Sequence, residues 1–573
     1  MGKKPGHAPK PATTAVADPA TPHAAHMRFW ARIVEHRTVQ WLVGYLAFSY
    51  ACLHTIEMLS TTFAWPVLVA RLTSVSLLLG FPVTAVLSWY FHGTHHGAGA
   101  VPNTPPPVVG AAASAPPFKS IAVLPFLDMS ALKDQEYFSD GLSEELIGVL
   151  TRIPDLRVPA RTSSFFFKGK QSTIAEIAQA LHVAHVLEGS VRKAGDTIRI
   201  TVQLIQADNG YHVWSETYDR TLDDIFKVQD EIAAAVVRAL KVTLLKDTLP
   251  TRSVVPNAEA YQLYLRGRFH WNRRSPEDFR KAVKFFQQAT AIDSKYPLAL
   301  TGLADCYSLL PLYDRRANAT ESTPLAKEAV LRALSMDEGL AEAHASLGLI
   351  LAIFDFDWLR AERHFRRSIE LSPNASTTHQ WYGTLLVAAG RAEEGLAAAR
   401  RALELDPLSL AANLSLGIDL NSARRFDAAI AQLYKTLELG KNFADTNYFL
   451  YEAYANKGMY KEAVSVYAKQ KRLEGEAPAE AEAIKEAYAS GSWQGFLRHR
   501  VMAMEAQPQP VAEEVASFYA RLGDVDRAMS WLQKAYERRS ARLTLLKVDP
   551  RYDNLRKDPR FAELLQRVGL GGT

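Results

Sequence analysis

Hydrophobic and polar positions change their period several times along the chain, and each change predicts a different kind of element. Residues 1–26 are rich in Pro, Ala, Thr and His and show no period, and 1–37 read as a disordered basic tail. The run 41–59, WLVGYLAFSYACLHTIEML, is long enough to cross a ~30 Å hydrocarbon layer. A second apolar run covers 66–90, and the short uncharged connection 60–65 makes the two a transmembrane hairpin over 38–92. Trp41, Tyr50, Trp65, Trp89 and Tyr90 supply amphipathic rings, most of them near the ends, where interfacial belts sit. Residues 93–117 are Gly, Ala and Pro with almost no charge, a linker.

Past 118 the apolar positions regroup. SIAVLPF (120–126) is a short apolar run fit for a buried strand. SDGLSEELIGVLTRI (139–153) opens with a capping signal and places Leu142, Leu146, Val149 and Leu150 on one helical face. LRVPA (156–160) reads as a second strand and TIAEIAQAL (173–181) as a helix. Three strand-like segments follow; in the middle one Ile198, Ile200, Val202 and Leu204 alternate with polar residues, the mark of a half-buried strand. Gly195-Asp196 and Asp208-Asn209-Gly210 are the turns between them. A long helix, 222–245, closes the segment. The order βαβαβββα predicts an α+β domain with a mixed sheet over 118–247.

From 257 onward the pattern repeats at a longer interval. SIELSP (368–373), ALELDP (402–407) and TLELG (436–440) end alike, so Glu370, Glu404 and Glu438 step by 34. Gly390, Arg424 and Gly458 step by 34 as well. This is the tetratricopeptide period, two antiparallel helices per unit. Gly383 and Gly417 take the close-approach site of the first helix; Leu416 precedes its glycine as the pattern expects, whereas Tyr382 departs from it. Tyr454, Ala463 and Tyr467 take large, small and large core positions. Earlier units are looser, and PLYDRRANATESTP (311–324) is an insertion that shifts the phase. Beyond 474 the period fails, and it returns near 515–539. The reading is an all-α solenoid of about seven units over 257–540, with 541–573 a capping segment that hides the last apolar face.

Charge changes this picture more than composition does. A 48% hydrophobic fraction fits folded domains. Two cysteines, Cys52 and Cys306, exclude a disulfide framework. The net charge of +5 hints at nucleic acid, but its location argues otherwise: residues 1–37 hold six basic against two acidic side chains, a net of +4, which leaves +1 for the rest. The excess is a tail beside the hairpin. The positive-inside rule then puts the N-terminus, and everything past residue 92, in the cytoplasm at a bacterial inner membrane. Glu57 and Arg71 lie at similar distances from the hairpin turn; they pair across it, or each reaches its near interface. His54 reads as a helix-packing residue. His92, His95 and His96 have no Cys or carboxylate nearby in sequence, too few ligands for a metal site.

Candidate chemistry is sparse. Asp134, Glu136, Asp140, Glu144 and Glu145 crowd one helix start, where acids complement the helix dipole. Lys168-Gly169-Lys170-Gln171-Ser172-Thr173 echoes a phosphate loop, but the first glycine of G-x-x-x-x-G-K-[ST] falls on Ser164. No H-E-x-x-H, G-x-S-x-G or C-x-x-C is present. No catalytic, cofactor or metal residue is therefore expected. IAVLPF, EYFSDGLSEELI, RTSSF with FKGK, LEGSVRKAGDTIRITVQLI and WSETYDR followed by DIFKVQDEIA resemble the TolB amino-terminal-like domain. In bacteria that domain is often coupled to tetratricopeptide repeats. In related architectures a nucleotide cyclase or winged-helix DNA-binding domain precedes it; here the hairpin stands in that position. KVDPRYDNLRKDPRFAELLQRVGL (547–570) resembles the tail of the same group. Aligned first helices of the solenoid make a concave groove, and the repeat frame projects Gln380, Thr384, Asn421 and Tyr448 into it. The expectation is a membrane-anchored, non-enzymatic scaffold with a protein or peptide in that groove, no nucleic acid and no cofactor. The alternative is a signalling component whose TolB-like domain senses a ligand that the solenoid relays.

Overall fold

The computed structural model describes residues 119–153, 155–194, 197–221, 224–240, 257–314, 319–440 and 444–571. The tail 1–37, the hairpin with Glu57 and Arg71, His54, and the histidines and linker up to 117 lie outside the described residues. Among the described residues no helix is long and apolar enough to cross a membrane.

The α+β domain runs β1 (Ile121–Val123), β2 (Leu127–Asp128), α1 (Glu136–Thr151), α2 (Arg161–Phe165), α3 (Ile174–Leu181), β3 (His185–Ala194), β4 (Thr197–Gln206), β5 (His212–Thr221) and α4 (Ile225–Ala239). The sheet order is β1-β3-β4-β5, with β2 also against β3. β1 and β2 lie parallel to β3; β3, β4 and β5 form an antiparallel meander. The sheet is mixed, as the element order predicts. Ile198, Ile200, Val202 and Leu204 are buried and turn toward α1 and α4. α3 carries the sequence-readable capping box of Thr173 and Glu176.

Two local expectations fail here for physical reasons. α1 begins at Glu136 rather than at the Ser139-Asp140 signal. Asp128 accepts from the Gln135 amide at 2.8 Å and fixes the earlier start, while Ser139 bonds back to the Gln135 carbonyl. The segment 156–160 is not a strand: it makes one bridge, Ser120 to Arg157. Its other hydrogen bonds leave the sheet. The Ala160 amide donates to the Leu405 carbonyl at 2.8 Å and the Arg157 guanidinium to that of Glu404 at 2.7 Å, both in the solenoid.

The solenoid is a series of helix pairs: α5 (Ala258–Trp271) with α6 (Pro276–Ile292), α7 (Pro297–Tyr313) with α8 (Ala319–Met336), and α9 (Ala341–Ile350) with α10 (Trp358–Leu371). α11 (Ser376–Ala388) pairs with α12 (Ala392–Leu405), α13 (Leu410–Ser422) with α14 (Phe426–Leu439), and α15 (Ala444–Lys457) with α16 (Tyr460–Leu473). α17 (Pro478–Glu505) precedes the last pair, α18 (Ala512–Leu522) and α19 (Val525–Glu537). Gly383 and Gly417 let the two helices of a unit touch: a Cβ at Gly417 would stand 2.6 Å from Leu433 Cδ2.

Backbone angles show that the period does not fail after 474. Phe356, Gly390, Arg424, Gly458 and Ser492 all have positive φ (56°, 93°, 60°, 83° and 57°) and are spaced by 34 residues throughout. Ser492 interrupts α17 with φ 57° and ψ −160°, so that helix is itself a pair folded about one residue. Eight helix pairs are therefore present among the described residues, not seven. The turn at Arg274 (φ 56°) lies 82 residues before Phe356, two periods plus the 14 residues of the insertion at 311–324.

Candidate functional site

The first helices of successive pairs pack on one another, and a row of polar contacts links them. Asp305 on α7 accepts from Ser346 on α9, and Arg268 on α5 lies 4.0 Å from the other Asp305 oxygen. Gln380 on α11 donates to Ser415 on α13 at 2.8 Å; Thr384 donates to Asp419 at 3.4 Å. Asn456 on α15 donates to Asn421 at 3.2 Å and accepts from Arg521 on α18 at 2.8 Å. Asp419 is fully buried, and its second oxygen has no hydrogen-bond partner among the described residues. Burial pushes its carboxyl up to about 8 against the single Thr384 bond.

The α+β domain is fastened to α5 and to the starts of α11 and α13. α1 crosses α5 closely because Gly141 has no side chain; a Cβ there would stand 2.6 Å from Leu265. Beside this crossing Glu144 is held by Arg268, by Asn272 at 2.8 Å and by Arg161 at 2.9 Å. Burial raises the Glu144 carboxyl, but Arg268 and Arg161 override it and hold the group below its ordinary range. Further along, Asn374, just before α11, points its amide at the carbonyls of Thr151, Ile153 and Leu156 at 3.3, 3.2 and 3.0 Å. Asp406, before α13, accepts from both the amide (2.9 Å) and the hydroxyl of Ser163. Burial pushes Asp406 up to about 6 against those bonds. Apolar contact completes the join: the Phe226 and Tyr261 rings meet at 4.7 Å within a core shared by the two domains.

Between α1, the C-terminal half of α5 and the starts of α7, α9 and α11 lies a cavity of about 300 Å³, walled by Glu144, Tyr264, Arg268, Trp271, Asp305 and Trp381 among others. Asp305, raised by burial to about 6, is its most perturbed carboxylate.

The C-terminal segment does more than cover the last helix. Two 3₁₀ turns (Ala541–Leu545 and Pro550–Leu555) and a final helix, α20 (Pro559–Arg567), run back along the ends of the first helices. Lys547 bonds the Ala389 carbonyl at 3.3 Å, Arg424 pairs with Asp553, and Trp358 donates to the Val568 carbonyl at 2.8 Å. Arg551 is buried against Asp549, Glu452 and Tyr448, at 2.6, 3.8 and 3.0 Å respectively.

The residues projected into the groove thus separate. Gln380 and Thr384 are half-buried on neighbouring turns of α11. Asn421 is buried between α13 and α15, and Tyr448 is buried beneath Arg551. The acidic cluster at 134–145 also divides. Asp140 pairs with Lys168 at 2.6 Å, which ties up the phosphate-loop echo, and Glu144 sits in mid-helix at the domain join rather than serving the dipole. Sequence reasoning missed Arg268, Asp305, Asn374 and Asp406; they are single polar residues in otherwise ordinary repeats, and only their burial sets them apart.

These features define a tetratricopeptide-type solenoid joined to a small mixed-sheet domain. Residues 118–235 match the family described as "HilA/YgeH-like transcriptional regulator, second domain". A "Putative adenylate cyclase 3" of Rhizobium meliloti is 35% identical over 313 residues, covering 54% of this chain and 41% of the relative. The "Transcriptional regulator HilA" of Salmonella typhimurium is 24% identical over 330 residues, covering 56% of this chain and 57% of the relative. The chain therefore spans less than two thirds of the length of either relative. Among solved structures, a thermophilic TPR protein of Thermus thermophilus aligns with 34% of this chain and 98% of its own, at 18% identity and a TM-score of 0.29.

Proposed function

We propose that this chain is a non-enzymatic scaffold that holds a protein or peptide on the middle of its solenoid, tethered to a bacterial inner membrane by the hairpin at 38–92. The observation that carries the reading is how the row of first helices is divided between the flanking segments. The α+β domain engages α5 and the starts of α11 and α13, and the C-terminal segment the ends of α11 and α13. Gln380 and Thr384 stay partly accessible on α11 between them. Such a row offers hydrogen-bonding side chains on rigid helices, the arrangement that repeat proteins use to hold extended ligands. The resemblance of 118–247 to the TolB amino-terminal-like domain is part of this proposal, and so is cytoplasmic exposure of everything past 92.

The test is affinity capture from membranes with the full chain and with Gln380→Arg or Thr384→Arg. Loss of the same specific partner in both variants supports the reading; unchanged capture ends it. A compartment-specific reporter fused after Thr573 tests the topology, and periplasmic activity overturns it.

One observation favours a second, regulatory reading. The cavity at Trp271 and Asp305 is walled by both domains, so a ligand there would bias how they join. A small ligand that raised the melting temperature, and lost that effect in Asp305→Ala, would support it.

A further inference from the structure

β5 is the outer strand of the sheet. Its inner edge pairs with β4, and among the described residues no strand pairs with its outer edge. The strand is ten residues long, HVWSETYDRT, and only Tyr218 in it is buried. Just before it Tyr211 is 73% exposed, and within it Val213 is 43% exposed. A long free edge of β-forming residues is a template for another strand, and proteins blunt such edges with proline, lysine or inward charges. β5 has no proline, glycine or lysine; the two charges on its inward side, Glu216 and Arg220, are of opposite sign and so blunt the edge only against a strand that cannot pair them. The charges of β5 are Glu216, Asp219, Arg220 and, when protonated, His212.

Their placement names the occupant. Glu216 and Arg220 stand two residues either side of Tyr218. A second β5 laid antiparallel with Tyr218 at the twofold centre sets Glu216 opposite Arg220 at both ends of the contact. Opposite charges directly across an antiparallel pair attract, and like charges there repel. Both groups have light duties within one chain. Glu216 accepts from the Tyr218 hydroxyl at 2.9 Å, and Arg220 reaches Glu231 on α4 at 3.2 Å on an exposed surface. Asp219 is taken by Arg199 at 2.7 Å on β4 and leaves the central pair undisturbed. The β4 residues opposite Glu216, Tyr218 and Arg220 are Val202, Ile200 and Ile198, all buried. The apolar row of the sheet therefore stops at β5, and a second copy would continue it with Tyr218 against Tyr218.

We propose that β5 pairs with β5 of a second copy in this register, running one continuous sheet through two chains. The interface is isologous, so the same patch serves both partners. The experiment is sedimentation of the full chain in mild detergent over a concentration series. Wild type is expected to dimerise. A chain with Glu216→Arg presents two cations and one with Arg220→Glu two anions, so each repels its own copy, and dimerisation should weaken by about tenfold or more. Mixing the two single variants restores complementarity at both ends, and so does the double exchange E216R/R220E; both should return to within about threefold of wild type. A chain that stays monomeric at every concentration overturns the proposal. So does a mixture that associates no better than either variant alone while the double exchange keeps the wild-type circular dichroism spectrum. Dimers unmoved by any of these changes place the interface elsewhere and equally overturn it.

Discussion

Asp419→Asn should stabilise this protein, and by an amount that grows with pH. The carboxyl is fully buried, has one hydrogen bond at 3.4 Å and carries an oxygen with no partner among the described residues. Its pKa is raised to about 8 from 3.8, with burial the main cause and the Thr384 bond opposing it. The folded state therefore holds a proton that the unfolded chain releases, and stability falls as pH rises between those values. At ~1.36 kcal/mol per pKa unit, the upper bound on this cost is about 2 kcal/mol at pH 5, about 4 at pH 7 and nearly 6 at pH 9. Relaxation around the site reduces these bounds, roughly by half. An asparagine keeps an acceptor for Thr384 and is never ionised. Urea unfolding of both proteins at pH 5, 7 and 8.5 should show the variant ahead by about 1, 2 and 3 kcal/mol, with unchanged slope. A difference that does not vary with pH, or a variant weaker than wild type at pH 8.5, would refute the reasoning, because the carboxylate would then be ionised and satisfied in the fold.

Four other outcomes follow from the same geometry. Asn374→Ala leaves three carbonyls at the end of α1 without their donor and should cost about 1–3 kcal/mol in denaturant unfolding, with faster amide exchange at 151–156 than elsewhere in the domain. Arg551→Met strands Asp549 in a buried site and should lower stability by about 3 kcal/mol; Asp549→Asn in the same chain should recover part of that loss in a double-mutant cycle. Ser492→Gly occupies φ 57°, ψ −160°, a region nearly reserved for glycine, and should raise the thermal midpoint through a gain of about 1–3 kcal/mol. Asp406→Asn removes a carboxyl raised from 3.8 to about 6; wild type loses stability as pH rises between those values, so the variant should fare worst below about pH 4, gain on wild type up to about pH 6 and keep a constant difference above it, as read by urea midpoints across that range.

Much of this architecture is legible in the sequence because it rests on local periods. The alternation at 198–204 and the 34-residue step at 370, 404 and 438 each report a repeating geometry, and burial of Ile198, Ile200, Val202, Leu204, Ala463 and Tyr467 follows it. The step at 458 to 492 was hidden for a specific reason. The unit after 474 keeps the backbone angle of the turn but puts Ser492 where glycine would advertise it. Contacts between distant segments were not legible at all. Nothing in RVPAR at 157–161 announces that its hydrogen bonds end on residues 404 and 405, and nothing around Tyr448 shows that Arg551 will cover it. Gln380 and Thr384 meet Ser415 and Asp419, each 35 residues on, so their immediate neighbours follow from the repeat frame. Asn421 likewise meets Asn456 one repeat on, whereas Tyr448 is covered by Arg551, 103 residues downstream.

The return of residues 541–570 along the solenoid bears on how the chain is made. A repeat array ordinarily assembles by nearest-neighbour steps, each unit closing on the one before. Here Trp358, Ala389 and Arg424 wait for partners between 129 and 210 residues downstream. On the ribosome the middle units are finished long before Val568, Lys547 and Asp553 emerge, so their helix ends stay uncovered through that interval. Such delayed closure lengthens exposure to misassembly. A chain stopped near residue 540 would keep every repeat and still leave its centre open.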